Sequence, residues 1–184
     1  LGDLPAWQAA QPGVAAVFTA ADIPGRNAFG VIPAFADQPA LAEAETRFRG
    51  EAVALVAFED DGTEPDLSGF PIAWQERAAL SDPVAAMASP SLLHDSRPGN
   101  QLTQGLVRRG DAAAALAGSA HIAETRIETA FVEHAYIEPE AGAAWMESDV
   151  LVIRACTQAP VMDRDDTARI LALPPERVRI IPSA

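Results

Sequence analysis

Short apolar runs separated by proline, glycine and acidic residues predict a series of strands along the chain. The run at residues 14–19 predicts one strand, and the run at residues 52–58, apolar on both faces, predicts a central strand. Residues 121–131 alternate between apolar and charged positions, which predicts a half-buried strand. Residues 70–76 predict a short edge strand, because a proline interrupts them. Two further strands, at 141–146 and 150–155, are predicted around the turn 147–149, and another begins at residue 178.

Capping residues mark the predicted helices between these strands. Asp3 is placed to cap a short helix that ends near residue 10, and residues 81–87 predict a capped helical turn. Asp111 precedes a run of alanines that Gly118 stops. Pro160 suits the first turn of a helix that ends near residue 171. These elements together predict an α+β chain with mixed or antiparallel sheets.

The stretch at residues 89–105 is rich in serine, proline, asparagine and glycine, which is typical of a boundary between domains. We therefore divide the chain into a first domain at residues 1–95 and a second at residues 96–184.

The charge balance narrows the classes of function. The 184 residues carry a net charge of −13, and all 13 basic residues are arginines. Such an acidic chain repels a phosphate backbone and an anionic membrane surface, so we expect neither nucleic acid nor membrane as a partner. No apolar run approaches the roughly 20 residues of a membrane span. Without a visible signal peptide, we expect a cytoplasmic location and leave the periplasm open.

The single cysteine, Cys156, excludes an internal disulfide framework and a zinc site built from cysteines. We expect it to lie buried in a strand as a small apolar residue. The chain starts at Leu1 rather than at methionine, and we expect it to be a piece of a longer protein.

The residues able to do chemistry concentrate in two places. The first is Glu133 and His134, with Glu138 four residues after the histidine, and the second is the pair Thr157 and Gln158. In the first group, the acid and the histidine could fix the end of a strand through hydrogen bonds, ligate a metal, or act directly in catalysis. We interpret His94 and His121 as structural or surface residues. Glycine-rich phosphate loops and nucleophile elbows are both missing from the sequence.

The chain resembles the molybdenum-binding large subunit of the xanthine dehydrogenase/aldehyde oxidase family. The resemblance is carried by short motifs whose order and spacing cover almost the whole sequence: residues 12–25, 37–42, 47–54, 109–111, 133–139, 156–160 and 171–179.

The resemblance implies a fold, a reaction and a set of partners. Residues 1–95 correspond to an a/b hammerhead domain that lacks its first strand, and residues 96–184 correspond to the first βαβ-type portion of a molybdopterin-binding domain. Family members hydroxylate aldehydes or N-heterocycles with oxygen taken from water. Their cofactor is a molybdenum–pterin, molybdopterin, carrying a cytosine dinucleotide in many bacterial members. Electrons leave through [2Fe–2S] clusters, often to FAD, on partner domains or subunits.

The resemblance also assigns candidate cofactor-binding residues, which would form part of the pocket wall: Val132, Glu133, His134, Thr157 and Gln158. It implies that no catalytic residue and no metal ligand lies in this chain, because the family's glycine-rich segment and its catalytic glutamate correspond to positions after residue 184. The chain alone is therefore expected to be inactive, to bind no cofactor by itself and to self-associate through uncovered sheet edges and apolar patches.

Two departures from the family pattern bear on function. The family often has a glutamine that faces the metal where this chain has Val132, which cannot donate a hydrogen bond. The family's helix after the strand at 52–58 is shortened here, because residues 60–66 are rich in helix breakers. Both departures favour an alternative function, in which the chain is a non-catalytic binding or assembly module on the same scaffold.

Overall fold

The computed structural model describes residues 1–59, 66–135, 137 and 141–183. The described chain is α+β and divides into two compact units. One unit contains residues 1–75 and 138–184, and the other contains residues 76–137. Among the described residues, every helix is too short or too polar to traverse a lipid bilayer.

The first unit begins with helix α1, Leu4–Ala10, followed by strand β1, Val14–Thr19. The Asp3 carboxylate accepts a hydrogen bond from the Ala6 amide at 2.9 Å, as expected for a capping residue. Strand β2, Ala54–Phe58, pairs with β1 in antiparallel orientation.

The expectation that β2 is a central strand is wrong. In the described chain β1 and β2 form a two-stranded sheet, so β2 has β1 as its neighbour on one edge and no strand on the other. The Leu55 side chain is 58% exposed, because no second layer covers that face of the sheet. An apolar run on both faces therefore indicates two surfaces able to be buried, which the described residues cover only in part.

A βαβ unit follows at the end of the chain. Strands β3, Gly142–Glu147, and β4, Val150–Cys156, form an antiparallel hairpin with Ser148 in the left-handed region at its turn. Helix α4, Pro160–Ile170, connects β4 to the parallel strand β5, Val178–Ser183. The predicted βαβ portion with mixed sheet pairing is thus confirmed.

The best-buried apolar side chains of this βαβ unit come from β4, α4 and β5. Val152 of β4 is completely buried, and Ala168 of α4 and Val178 of β5 are almost so. Cys156, by contrast, is exposed, so its predicted burial is wrong. It lies at the last position of β4, where the strand ends.

The second unit is held by helix caps and one asparagine. Helices α2, Pro83–Ala88, and α3, Ala112–Ala117, start after Asp82 and Asp111, as predicted. Asn100 donates to the carbonyls of Ala86 and Ser91 at 2.9 and 2.8 Å and thereby joins α2 to the loop that follows it.

Two predicted strands are not formed. Residues 121–131 contain no strand, because in the described chain none of their main-chain groups forms a ladder with a neighbour. Residues 70–76 also contain no strand: the Pro71 carbonyl accepts from the Gly2 amide at 2.7 Å, but proline has no amide to continue the pairing. The predicted shortening of the family's helix falls mostly on residues 60–65, which lie outside the described residues, and the domain boundary at residue 95 stays a prediction.

Candidate functional site

Thr157 and Gln158 occupy the turn between β4 and α4, and Thr157 fixes that turn. Its hydroxyl oxygen accepts a hydrogen bond from the Ala159 amide at 2.9 Å and donates to the Asp163 carboxylate in the first turn of α4. Two residues on the turn and one on the helix are thus linked through a single hydroxyl. The Thr157 hydroxyl therefore orders the turn, and its hydrogen bonds leave little capacity for a ligand.

Gln158 has the opposite environment. Its side chain is exposed, and within the described residues it makes no hydrogen bond. A primary amide carries two donors and one acceptor, which suits the recognition of a heterocycle with alternating N–H and C=O groups. The turn thus consists of an anchoring residue, Thr157, and a residue free to contact a ligand, Gln158.

The opposite end of α4 is held by the segment that contains Gly25 and Arg26. The Gly25 and Arg26 amides donate to the carbonyls of Ile170 and Arg169, each at 2.9 Å. These are carbonyls of the last helical turn, which otherwise lack partners within the helix. A β-carbon on Gly25 would lie 2.0 Å from the Arg169 oxygen, so only glycine permits this approach.

The signal for this contact in the sequence is weak. Gly25 belongs to the motif at residues 12–25, but a Pro-Gly pair usually indicates only a turn. Its second role, close backbone packing against a helix more than 140 residues later, depends on tertiary structure.

Val132, Glu133 and His134 lie in the other compact unit, in extended chain with exposed side chains. Val132 is 74% exposed. Ala135, directly after His134, adopts a left-handed conformation, which is uncommon for a residue other than glycine. Glu138, the third member of the predicted cluster, lies outside the described residues, as does Tyr136.

The described residues provide neither a metal cluster nor a deep pocket beside α4. No group of three or more histidine, cysteine, aspartate or glutamate side chains is arranged there to hold a metal. A depression between α4 and β5 measures about 250 Å³ and is open to solvent. Ligand sites usually have about 300–1,000 Å³ and enclose most of the ligand. A cofactor at the Gln158 turn would therefore need further walls.

Two family models match the chain in succession. Residues 6–64 match the a/b hammerhead domain of aldehyde oxidase and xanthine dehydrogenase, and residues 93–184 match the molybdopterin cofactor-binding domain. This chain belongs to the xanthine dehydrogenase/aldehyde oxidase family of molybdopterin-binding subunits. The resemblance inferred from the short motifs is thereby confirmed.

Individual relatives agree with this family assignment. Over 93% of its length the chain is 34% identical to a probable xanthine dehydrogenase subunit of Bacillus subtilis. Over 92% it is 32% identical to the nicotinate dehydrogenase large molybdopterin subunit of Eubacterium barkeri. A rice xanthine dehydrogenase is 27% identical over 91% of the chain. The chain spans 23%, 40% and 12% of these proteins, respectively.

The two groups of residues that meet at the Gly25 contact match different family domains. Gly25 lies in the segment that matches the hammerhead domain, and α4 lies in the segment that matches the molybdopterin-binding domain. Both segments contribute to the first compact unit. The two hydrogen bonds at the end of α4 therefore join the two family domains within one unit.

Proposed function

We propose that this chain forms part of the large subunit of a molybdenum hydroxylase and contributes one wall of its molybdopterin pocket. The observation that carries the proposal is the β4–α4 turn, which lies within the match to the cofactor-binding domain and presents the exposed Gln158 amide beside an anchored Thr157. In the same proposal, Val132, Glu133 and His134 contribute a second part of the wall.

The side chains at the turn fit this group chemically. A pterin has a flat ring with neighbouring donors and acceptors, and the Gln158 amide can pair with both kinds. When bound, the molybdenum centre supplies the two-electron oxidation of an aldehyde or an N-heterocycle with oxygen from water. The residues of this chain bind and orient, and the chain alone is inactive.

The proposed partners follow from the family and from the relatives' names. Two relatives are named as subunits, and the chain spans less than half of each. We therefore expect the remainder of the large subunit, and iron–sulfur and FAD subunits, to complete the enzyme. A cytoplasmic location belongs to the same proposal.

Metal analysis of the complex tests this function. The complex is captured through a tag on this chain, and molybdenum and pterin are quantified per copy. We expect about one of each, and Gln158→Ala to lower pterin occupancy at least fivefold by removing a ligand contact. Gln104→Ala, which changes another exposed glutamine, is the matched control and should leave occupancy unchanged. An intact, folded complex without molybdenum would contradict the proposal.

A second candidate function is a non-catalytic binding or assembly module. Val132 favours it, because a valine cannot supply a hydrogen bond where the family often places a metal-facing amide. Measuring turnover by the complex distinguishes the two candidate functions. A complex that holds molybdenum but turns over neither aldehydes nor N-heterocycles supports the module. Val132→Gln is then the variant to test for restored turnover.

A further inference from the structure

The extended segment at residues 121–133 has exposed side chains and unsatisfied main-chain groups. Ile127 and Phe131 are largely exposed, although both belong to the apolar side of an alternating pattern. In the described part of the chain, no main-chain hydrogen bond involves these residues. A strand-like segment in this state is a template for pairing with another chain.

The sequence of the segment is nearly self-complementary about Ile127. When two copies run antiparallel with Ile127 facing Ile127, residues equally distant from it lie opposite each other. Apart from Glu124 with Ala130, the pairs on either side of the centre are alike in polarity or complementary in charge: Arg126 with Glu128, Thr125 with Thr129, Ala123 with Phe131, Ile122 with Val132, and His121 with Glu133.

Charge selects this register over its neighbours. Within one copy, the Arg126 and Glu128 side chains lie on the same face of the segment, with their charged groups 3.8 Å apart. A strand paired in this register brings its own Glu128 and Arg126 to that face. Centring the pair on Arg126 would oppose Arg126 to itself and Glu124 to Glu128, and centring it on Glu128 would oppose Glu128 to itself. Like charges directly opposite destabilise a strand pair, whereas opposite charges stabilise it.

A register centred on Thr125 also keeps opposite charges together. Centring on Thr125 pairs Arg126 with Glu124, but it places Glu128 opposite Ile122 and moves Phe131 beyond the apolar part of the segment, opposite Ser119. The Ile127 register combines both Arg–Glu pairs with apolar pairs on both sides and leaves a single kind of mismatch, Glu124 with Ala130.

We propose that residues 121–133 form an antiparallel strand pair with the same segment of a second copy of this chain, centred on Ile127. The contact is isologous, so it closes on itself and produces a dimer rather than a fibre. A two-stranded ribbon alone is marginally stable, so the dimer should be weak and concentration-dependent.

Charge reversal tests the pairing. Sedimentation velocity of the 184-residue chain from micromolar to millimolar concentration should show a monomer–dimer equilibrium. Arg126→Glu or Glu128→Arg alone should weaken the association constant at least tenfold, because each opposes like charges twice. The double exchange should restore it, and so should mixing the two single variants, because each then meets its complement. A chain that stays monomeric throughout, or single variants that associate like the parent, would overturn the proposal.

Disulfide trapping tests the register independently. In a Cys156→Ser background, Ile127→Cys should cross-link to a dimer, because opposed α-carbons in antiparallel strands lie about 4.5–5.5 Å apart, within disulfide range. Thr125→Cys is the matched control, because its own copy would lie about 14 Å along the strand. If Thr125→Cys cross-links and Ile127→Cys does not, the proposed register is wrong.

Discussion

Val152 and Val132 are the same residue type in two regions that differ in their surroundings. Val152 lies in β4 between two paired strands, and none of its surface is exposed. Val132 lies in extended chain that pairs with no described strand, and 74% of its surface is exposed. The difference shows that an apolar β-forming sequence becomes a buried strand only when neighbours satisfy its backbone and a second layer covers its face.

The largest expected effect comes from placing a charge in each region. Val152→Asp buries a carboxylate without a partner, so we expect a loss of about 3 kcal/mol or more in the free energy of unfolding. Val107→Asp, at a fully exposed valine of the second unit, should change it by less than about 0.5 kcal/mol. Urea unfolding followed by circular dichroism measures both. Equal effects would show that β4 is not the stable part of the chain.

The next largest effect is expected at the contact that holds the end of α4. Gly25→Ala forces a β-carbon against the Arg169 carbonyl and should separate the two amides from the helix, at a cost of about 1–3 kcal/mol. Gly105→Ala is the control, because nothing lies within 4 Å of the position that its β-carbon would take. Thermal unfolding at low protein concentration measures the difference. A Gly25→Ala chain as stable as the parent would mean that the two family domains are joined by other contacts.

A smaller effect is expected when a single threonine hydroxyl is removed, and only in the region where that hydroxyl forms hydrogen bonds. Thr157→Val deletes the oxygen that accepts from Ala159 and donates to Asp163, so we expect a loss of about 1 kcal/mol. Thr129→Val, in the exposed extended segment, removes no described hydrogen bond and should be neutral for a monomer. Hydrogen exchange of the first-turn amides of α4 locates the change. Unaltered protection there would contradict the anchoring role of Thr157.

Local signals in the sequence predicted the elements that depend on neighbouring residues. The caps at Asp3 and Asp111, the helical turn after Asp82 and the hairpin around Ser148 involve residues within a few positions of each other, so sequence alone located them. The position of β2 at a sheet edge and the absence of a strand at residues 121–131 depend on which surfaces the rest of the protein covers, and a hydrophobic pattern does not contain that information.

The sequence likewise predicted only part of the candidate site. Thr157 and Gln158 were recognisable as residues at the end of a strand, because the apolar run of β4 stops before them and Pro160 marks the start of α4. The separate roles of the two side chains, anchor and exposed amide, appeared only with the Asp163 contact. Gly25 was missed because its constraint comes from a carbonyl distant in sequence, and the placement of Val132, Glu133 and His134 in a cofactor pocket stays a prediction.

The smallest expected effect concerns the hydrogen bonds between Thr19, at the end of β1, and the Asp22 carboxylate. Among the described residues, the extended segment at 121–133 has no such side-chain cap. The Thr19 amide and hydroxyl both donate to the Asp22 carboxylate, at 2.7 and 2.9 Å, and these bonds lower the pKa of Asp22 below 3.8. Since the folded chain has the lower pKa, this stabilisation is present above about pH 4 and is lost as the pH falls through the pKa of the folded state. Asp22→Asn should therefore flatten the dependence of unfolding free energy on pH between about pH 2 and 4. Thr19→Val, which removes one of the two donors, should raise the pKa of Asp22 measured by NMR titration, and an unchanged titration would show that the main-chain amide alone sets it.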